Sequence, residues 1–199
     1  MPHRKPAAKK QKLPRFLFVL IALVSLVFIL GAGTATTAAQ FENHDAFCAS
    51  CHSEPESTYY QRSLGDPPVD LASWHTTKDV RCIDCHAGQG IPGRLSAMRL
   101  GAGDLYAFVT HTDTQPAPLT QPIGDDHCLK CHQDTPNTQD FNRHFHAFLP
   151  QWQSLDSNAA TCVDCHASHN TSGDPTAMFL DQAQTTQVCQ SCHAFARRG

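Results

Sequence analysis

The sequence predicts a mostly α-helical fold with extensive loops and little β-structure, carried behind one N-terminal transmembrane helix. Three observations predict it. Cys-x-x-Cys-His occurs five times and consumes all ten cysteines: Cys48/Cys51/His52, Cys82/Cys85/His86, Cys128/Cys131/His132, Cys162/Cys165/His166 and Cys189/Cys192/His193. An apolar run, FLFVLIALVSLVFILGAG, fills positions 16–33 with Ser25 as its one polar side chain. About 160 residues follow this run, about 30 for each motif, too few to build a conventional apolar core around all five.

Cys-x-x-Cys-His is the attachment signature of c-type haem. Two thiols three positions apart can each bond one vinyl group of a single porphyrin, and the next histidine turns its imidazole to the iron as proximal ligand. Paired Cys-x-x-Cys units also build zinc sites, and an even cysteine count also suits a disulfide framework. Neither alternative needs a histidine directly after the second cysteine in every copy. The expected cofactor is therefore haem c, five groups, covalently attached. The porphyrins then supply much of the buried surface, and the chain becomes a multihaem cytochrome c wrapped around a haem array.

The apolar run is long enough to cross a bilayer, which takes roughly 18 to 20 residues at about 1.5 Å each. Arg4, Lys5, Lys9, Lys10, Lys12 and Arg15 precede it with no acidic residue among them. Basic residues on that side keep the N-terminus in the cytoplasm. The haem motifs then lie outside, where haem c is attached. The expected location is the bacterial inner membrane, single-pass, with the haem domain periplasmic. A cleaved signal peptide is the alternative, with Thr34-Ala35-Thr36-Thr37-Ala38-Ala39 as the small-residue site. Six of the fifteen Lys and Arg lie in this N-terminal stretch, so nine remain against eighteen Asp and Glu. That acidic balance argues against nucleic-acid binding and suits docking to a basic patch on a redox partner.

The motifs begin at 48, 82, 128, 162 and 189, and the repeated step of 34 suggests a duplicated two-haem module. Trp74 before Cys82-Ile83-Asp84-Cys85-His86-Ala87 parallels Trp152 before Cys162-Val163-Asp164-Cys165-His166-Ala167. The expected organisation is a basic N-terminus (1–15), an anchor (16–36), a first two-haem module (37–114), a Pro-rich connector (115–124), a second module (125–174) and a fifth-haem extension (175–199). Helices are expected over 54–64, 94–109 and 176–187, with Gly101 and Gly103 weakening the second.

Each iron has a second axial site that the motif leaves open. Seven histidines beyond the motifs follow the anchor: His44, His75, His111, His127, His144, His146 and His169. This surplus over five vacant positions favours bis-histidine ligation, which closes the iron and suits electron transfer. The candidate distal ligands are His75, His146, His169, His44 and His111. His144 competes with His146, while His127 adjoins Cys128 too closely to face that iron. Met98 and Met178 are weaker candidates.

In order, these features resemble the NapC/NirT family of membrane-anchored multihaem quinol dehydrogenases. The resemblance runs from the basic N-terminus and anchor through Phe47-Cys48-x-x-Cys51-His52, Trp74-His75, Val80-Arg81-Cys82-Ile83-Asp84-Cys85-His86 and Asp104-Leu105-Tyr106. It continues through Cys128-Leu129-Lys130-Cys131-His132 and His146 to Thr161-Cys162-Val163-Asp164-Cys165-His166 and His169. It implies a relay that takes electrons from membrane quinol at the haem nearest the anchor and delivers them to a periplasmic oxidoreductase or cytochrome. On that analogy the Cys48/Cys51 haem faces the quinol, and His75 and His169 are distal ligands. Arg99 and Asp104 match the family's basic and acidic pair at the quinol headgroup; a plain surface ion pair is the alternative. Two departures stand out. The family core has four haems and this chain has a fifth motif. Glu54 stands where some members have a methionine, two residues after the first motif histidine.

Two other functions compete. A multihaem reductase of a small nitrogen or sulfur species needs an open iron, often marked by an altered motif, yet all five motifs keep histidine. An electron carrier without quinol chemistry needs only the array.

Overall fold

The computed structural model describes residues 14–51, 54–119 and 122–197, apart from the side chains of Cys51 and Phe141. The basic stretch 1–13, the proximal ligand His52 and residues 120–121 of the connector lie outside the described residues.

The first of two units is a single helix, α1 (Arg15–Phe41), which contains the apolar run. Its 27 residues span about 40 Å, enough for a hydrocarbon core of about 30 Å. It is long and apolar enough to cross a membrane. The helix passes the expected end of the anchor at 36. The Thr-rich stretch is helical, and its hydroxyls find partners one turn back, Thr34 Oγ1 donating to Leu30 O and Thr37 Oγ1 to Gly33 O, both at 2.9 Å.

The second unit begins at Glu42 and is built from short helices and loops. The helices are α2 (Asp45–Cys51), α3 (Glu56–Ser63), α4 (Leu71–Thr76), α5 (Cys82–His86), α6 (Gly90–Thr110), α7 (Asp125–Leu129), α8 (His144–Leu155) and α9 (Gln182–Ala196). Single 3₁₀ turns occupy Thr135–Asn137, Phe141–Arg143, Cys162–Asp164 and Pro175–Ala177. Among the described residues there is no strand, only isolated bridges from Leu180 to His166 and to Asp174. The mostly helical, loop-rich expectation therefore holds.

Local chemistry sets the helix limits. The expected helix over 54–64 is α3, starting after Pro55. Helix α6 extends beyond 94–109 at both ends, and its two interior glycines do not break it. It starts where Gly93 lies on Gly88, so close that a Cβ would sit 2.1 Å from the Gly88 carbonyl carbon. It stops at His111, whose φ of 56° is left-handed and whose N–H returns to the Ala107 and Phe108 carbonyls.

The expected helix over 176–187 is misplaced. Pro175–Ala177 make one 3₁₀ turn, and Met178 and Phe179 take φ of 55° and 57°, which no right-handed helix can continue. The helix starts only at Gln182, where Asp181 accepts the Gln184 N–H at 3.0 Å, and it then runs through the whole fifth motif.

The protein-only core is very small. Among the described residues the buried apolar side chains are Trp152, Ala160, Ala167 and Phe179. The deepest side chains are polar: Asp70 and Ser73, each 1% exposed, form the capping box that starts α4. Asp70 Oδ1 accepts the Ser73 N–H at 2.7 Å, while the Asp70 N–H donates to Ser73 Oγ at 3.0 Å. A protein of this size needs far more buried apolar surface than four side chains give.

Candidate haem array

The second motif fills α5 and the fifth lies within α9, while in the third and fourth only the first cysteine lies in α7 or the 3₁₀ turn Cys162–Asp164 and the chain continues as a turn through the second cysteine. In the third and fourth motifs the histidine N–H donates to the carbonyl of the first cysteine at 3.0 Å, His132 to Cys128 and His166 to Cys162. The fifth motif lies on α9, where Cys189, Cys192 and His193 at i, i+3 and i+4 share a face.

The motif-bearing elements touch in chain order. Helix α2 packs on α5, α5 on α7, α7 on the 3₁₀ turn Cys162–Asp164, and that turn on α9. Cys48 and Cys82 lie within hydrogen-bonding reach, and the bond pushes the Cys82 thiol pKa up. Cys128 and Cys162 repeat the arrangement, with the Cys162 thiol pushed up in the same way. An acidic residue three positions before the first cysteine fixes each pair. Asp45 Oδ1 accepts the Cys82 N–H at 3.0 Å, and Asp125 Oδ1 accepts the Cys162 N–H at 2.7 Å. Between the pairs, His127 Nδ1 lies 2.6 Å from the Cys85 carbonyl, and Lys130 Nζ donates to the Asp84 and Ala87 carbonyls. His127 thus faces the second motif. After the fourth motif, the Asp181 N–H donates to the Cys165 carbonyl at 3.2 Å, which fixes the start of α9 beside it.

The histidines form four ring pairs among the described residues. Ring centroids are 6.2 Å apart for His75 and His132, 6.1 Å for His86 and His169, 6.3 Å for His146 and His166, and 6.3 Å for His144 and His193. Their interplanar angles are 79°, 26°, 3° and 67°. Rings in direct contact change their centroid separation with tilt, as offset stacks and T-shapes do. These pairs keep one separation at every tilt. A metal atom held between two imidazole nitrogens would fit that spacing, because two metal–nitrogen bonds of about 2 Å plus the rings' half-widths would total about 6.3 Å at any rotation. A true stack in the same molecule is shorter: Tyr59 lies on His169 at 4.1 Å and 9°. The residues present therefore fit bis-histidine haem iron.

The surroundings prepare these rings as ligands. His75 Nδ1 bonds the Leu71 carbonyl at 2.9 Å and His166 Nδ1 the Met178 carbonyl at 2.8 Å, which leaves Nε2 for the iron. Burial, reinforced by His86, lowers the His169 pKa to about 4. Burial also lowers His86 and His146, aided by His127 and His166 respectively. A neutral imidazole keeps its lone pair for a metal. The His146 and His169 Nδ1 atoms are buried without a hydrogen-bond partner.

Helix α4 and the segment 167–169 hold two of the pairs together. The Leu71 and Ala72 N–H groups donate to the Ala167 and Ser168 carbonyls at 3.2 and 2.9 Å. Arg62 Nη1 donates to the His169 carbonyl at 2.8 Å and lies 3.6 Å from Asp70.

The remaining candidates stand apart. Among the described residues no second histidine ring faces His44 or His111: the His44 carbonyl accepts the Phe47 N–H at the start of α2, and exposed His111 ends α6. Arg99 and Asp104 lie on the exposed surface of α6, five positions and so about 140° apart around its axis. His144, set against His146 as a rival in the sequence, has its own partner in His193. The clue was present: two histidines at i, i+2 point to opposite sides of a helix and can serve two irons.

The N-terminal region of the NapC/NirT cytochrome c family matches residues 9–121, and a doubled CXXCH motif matches residues 156–198. The chain is 29% identical over 127 residues to cytochrome c-type protein ImcH of Geobacter sulfurreducens, covering 59% of this chain and 22% of that protein. It is 24% identical over 199 residues to cytochrome c-type protein TorC of Escherichia coli K12, covering 96% of this chain and 43% of that protein. The chain thus spans less than half the length of these curated relatives. No solved structure matches it. With the family match extending over more than half its residues, the chain belongs to the NapC/NirT family of membrane cytochromes c, which carry covalently bound haem.

Proposed function

We propose that this chain is a membrane-anchored pentahaem cytochrome that transfers electrons from membrane quinol to a periplasmic oxidoreductase or cytochrome. The observation that carries the reading is the unbroken file of attachment motifs, each touching the next in chain order. When bound, the haems supply one-electron redox chemistry; the chain's residues set their order, spacing and coordination. Asp45 and Asp125 fix the two cysteine pairs, and His127 and Lys130 tie the third motif to the second. His169, His75 and His146 face His86, His132 and His166 and would close the irons that those histidines hold, leaving no open position for substrate. That closure favours a relay over a reductase.

Helix α1 is the membrane anchor, with the N-terminus cytoplasmic and the haem unit periplasmic; its apolar length and the basic residues before it support this. Family membership supports quinol entry at the Cys48/Cys51 haem, with Arg99 and Asp104 as headgroup or proton-accepting residues. The duplicated 34-residue step supports division of the haem unit into modules over 37–114 and 125–174, a connector over 115–124 and an extension over 175–199.

The test is reduction of the purified, detergent-solubilised protein by a menaquinol analogue, followed in the haem absorption bands, with a quinol-site inhibitor as control. Inhibitor-sensitive reduction is expected. Haems that accept electrons from dithionite but not from quinol would remove the dehydrogenase role and leave an electron carrier.

A further inference from the structure

We propose that His144 and His193 are the two axial ligands of the fifth haem iron, so that the first turn of α8 serves two irons at once, His146 the fourth and His144 the fifth. The assignment rests on the haem reading above and extends it to the motif that lies outside the four-haem family core.

The pair has the metric signature of the other three. Its 6.3 Å centroid separation equals that of His146 and His166, although the ring planes cross at 67° in one pair and 3° in the other. Two residues apart at about 100° per residue, His144 and His146 project about 200° apart, to opposite sides of α8. One ring therefore meets His166 of the fourth motif while the other meets His193 on α9. Neither can reach its neighbour's iron without unwinding the turn.

The surroundings of His144 suit a porphyrin edge. Phe145 lies 5.8 Å from it and Phe148 lies 6.4 Å from it, and both rings are largely open on the protein's own surface. Phe145 also sits 4.4 Å from His146, between the two ligand positions. Farther along the helix, buried Trp152 meets Phe195 on α9 at 6.4 Å, which holds α8 against the helix that carries the fifth motif. Pro150 lacks the N–H that would bond the His146 carbonyl, so the first turn of α8 is less tightly tied to the rest of the helix. The fifth iron is then closed on both sides and adjoins the fourth through one short segment. It is the last step of the wire, and substrate has no open position there.

The test uses the full-length holoprotein in detergent. Haem per chain is measured first by pyridine haemochrome, with five expected. The His144→Ala variant keeps its covalent haem but gains one high-spin ferric centre by electron paramagnetic resonance, and when reduced it binds one more equivalent of carbon monoxide than the parent. His144→Met restores a ligand: it abolishes the extra carbon monoxide, gives the near-infrared band of methionine-ligated ferric haem, and raises one midpoint potential. In a Cys189→Ala/Cys192→Ala background, which lacks the fifth haem, adding His144→Ala changes nothing further. An unaltered carbon monoxide count in His144→Ala, or an extra equivalent that persists without the fifth haem, would overturn the assignment while leaving the relay intact. A parent protein without covalent haem would overturn both.

Discussion

The two motif pairs share a frame and differ in where the histidines facing their motif histidines come from. In both, an aspartate three positions before the first cysteine binds the backbone of the second motif, Asp45 at Cys82 and Asp125 at Cys162. In both, the fourth-motif-type turn is boxed by its own aspartate: Asp84 Oδ2 accepts the Arg81 N–H at 2.9 Å, and Asp164 Oδ2 accepts the Thr161 N–H at 2.7 Å. The distal histidines do not repeat. His75 stands seven residues before Cys82, where the equivalent position before Cys162 is Leu155. His169 stands three residues after His166, where Gln89 follows His86. The pairings also cross: His75 from the first region faces His132 in the second, and His169 from the second faces His86 in the first, while His146 and His166 stay together. Attachment is a property of one turn of backbone, so it survives copying. Axial completion is a property of packing, so each copy finds its own ligand.

The comparison can be broken or sharpened by four experiments. The largest effect belongs to Cys162→Ser/Cys165→Ser. With so little apolar core to fall back on, the loss of one porphyrin should bring down the neighbouring turns, giving at most four haems per chain and rapid proteolysis; native-like protease resistance would contradict a core built of haem. Next come the distal ligands. His75→Ala and His169→Ala should each produce one high-spin haem, and both should lower the melting temperature more than His146→Ala, because they also cut the tie between the regions. Equal melting temperatures across the three variants would argue that the crossing has no mechanical role.

Third, Asp125→Ala should destabilise the holoprotein by about 1–2 kcal/mol and Asp45→Ala by about 1 kcal/mol in denaturant melts. The larger value reflects a second bond, since Asp125 also accepts Gln153 Nε2 at 2.6 Å. Reversal of that order would show that the two aspartates do different jobs. Smallest is Gly101→Ala in α6, the long helix that only the first region possesses. Nothing lies within 4 Å of the added methyl, so stability should rise by about 0.5–1 kcal/mol, read from the same melts. A loss would mean that the bare face of α6 is covered in the assembled protein.

Much of this was legible in the residues. The motifs announce covalently bound haem, the apolar run announces the long first helix, and a small ratio of residues to motifs announces a fold with almost no core of its own. Of the five candidate ligands the sequence offers, His75, His146 and His169 each have a motif histidine opposite them. Their pairings were not identifiable, because a contact between residues 75 and 132 or between 86 and 169 depends on backbone bonds such as Ala72 N–H to Ser168 O, which no local pattern encodes. His144 stands in the sequence only as a rival of His146, because two alternate positions on a helix turn were set against each other for one site although they reach opposite sides of the helix. The helix expected over 176–187 failed at Met178 and Phe179, whose left-handed backbone is forced by the tight return onto Ala167 and Asp174 and has no signature in side chains of their type.

A polypeptide whose described residues bury only Trp152, Ala160, Ala167 and Phe179 as apolar side chains has too little core to hold a shape before its pigments arrive. On the proposed topology, export would then deliver an open string of attachment sites, and ligation of each porphyrin would at the same time be a folding step. Porphyrin and iron supply then govern how much of this protein survives proteolysis in the envelope, so starvation for either would empty the membrane of the chain itself and not merely leave it colourless.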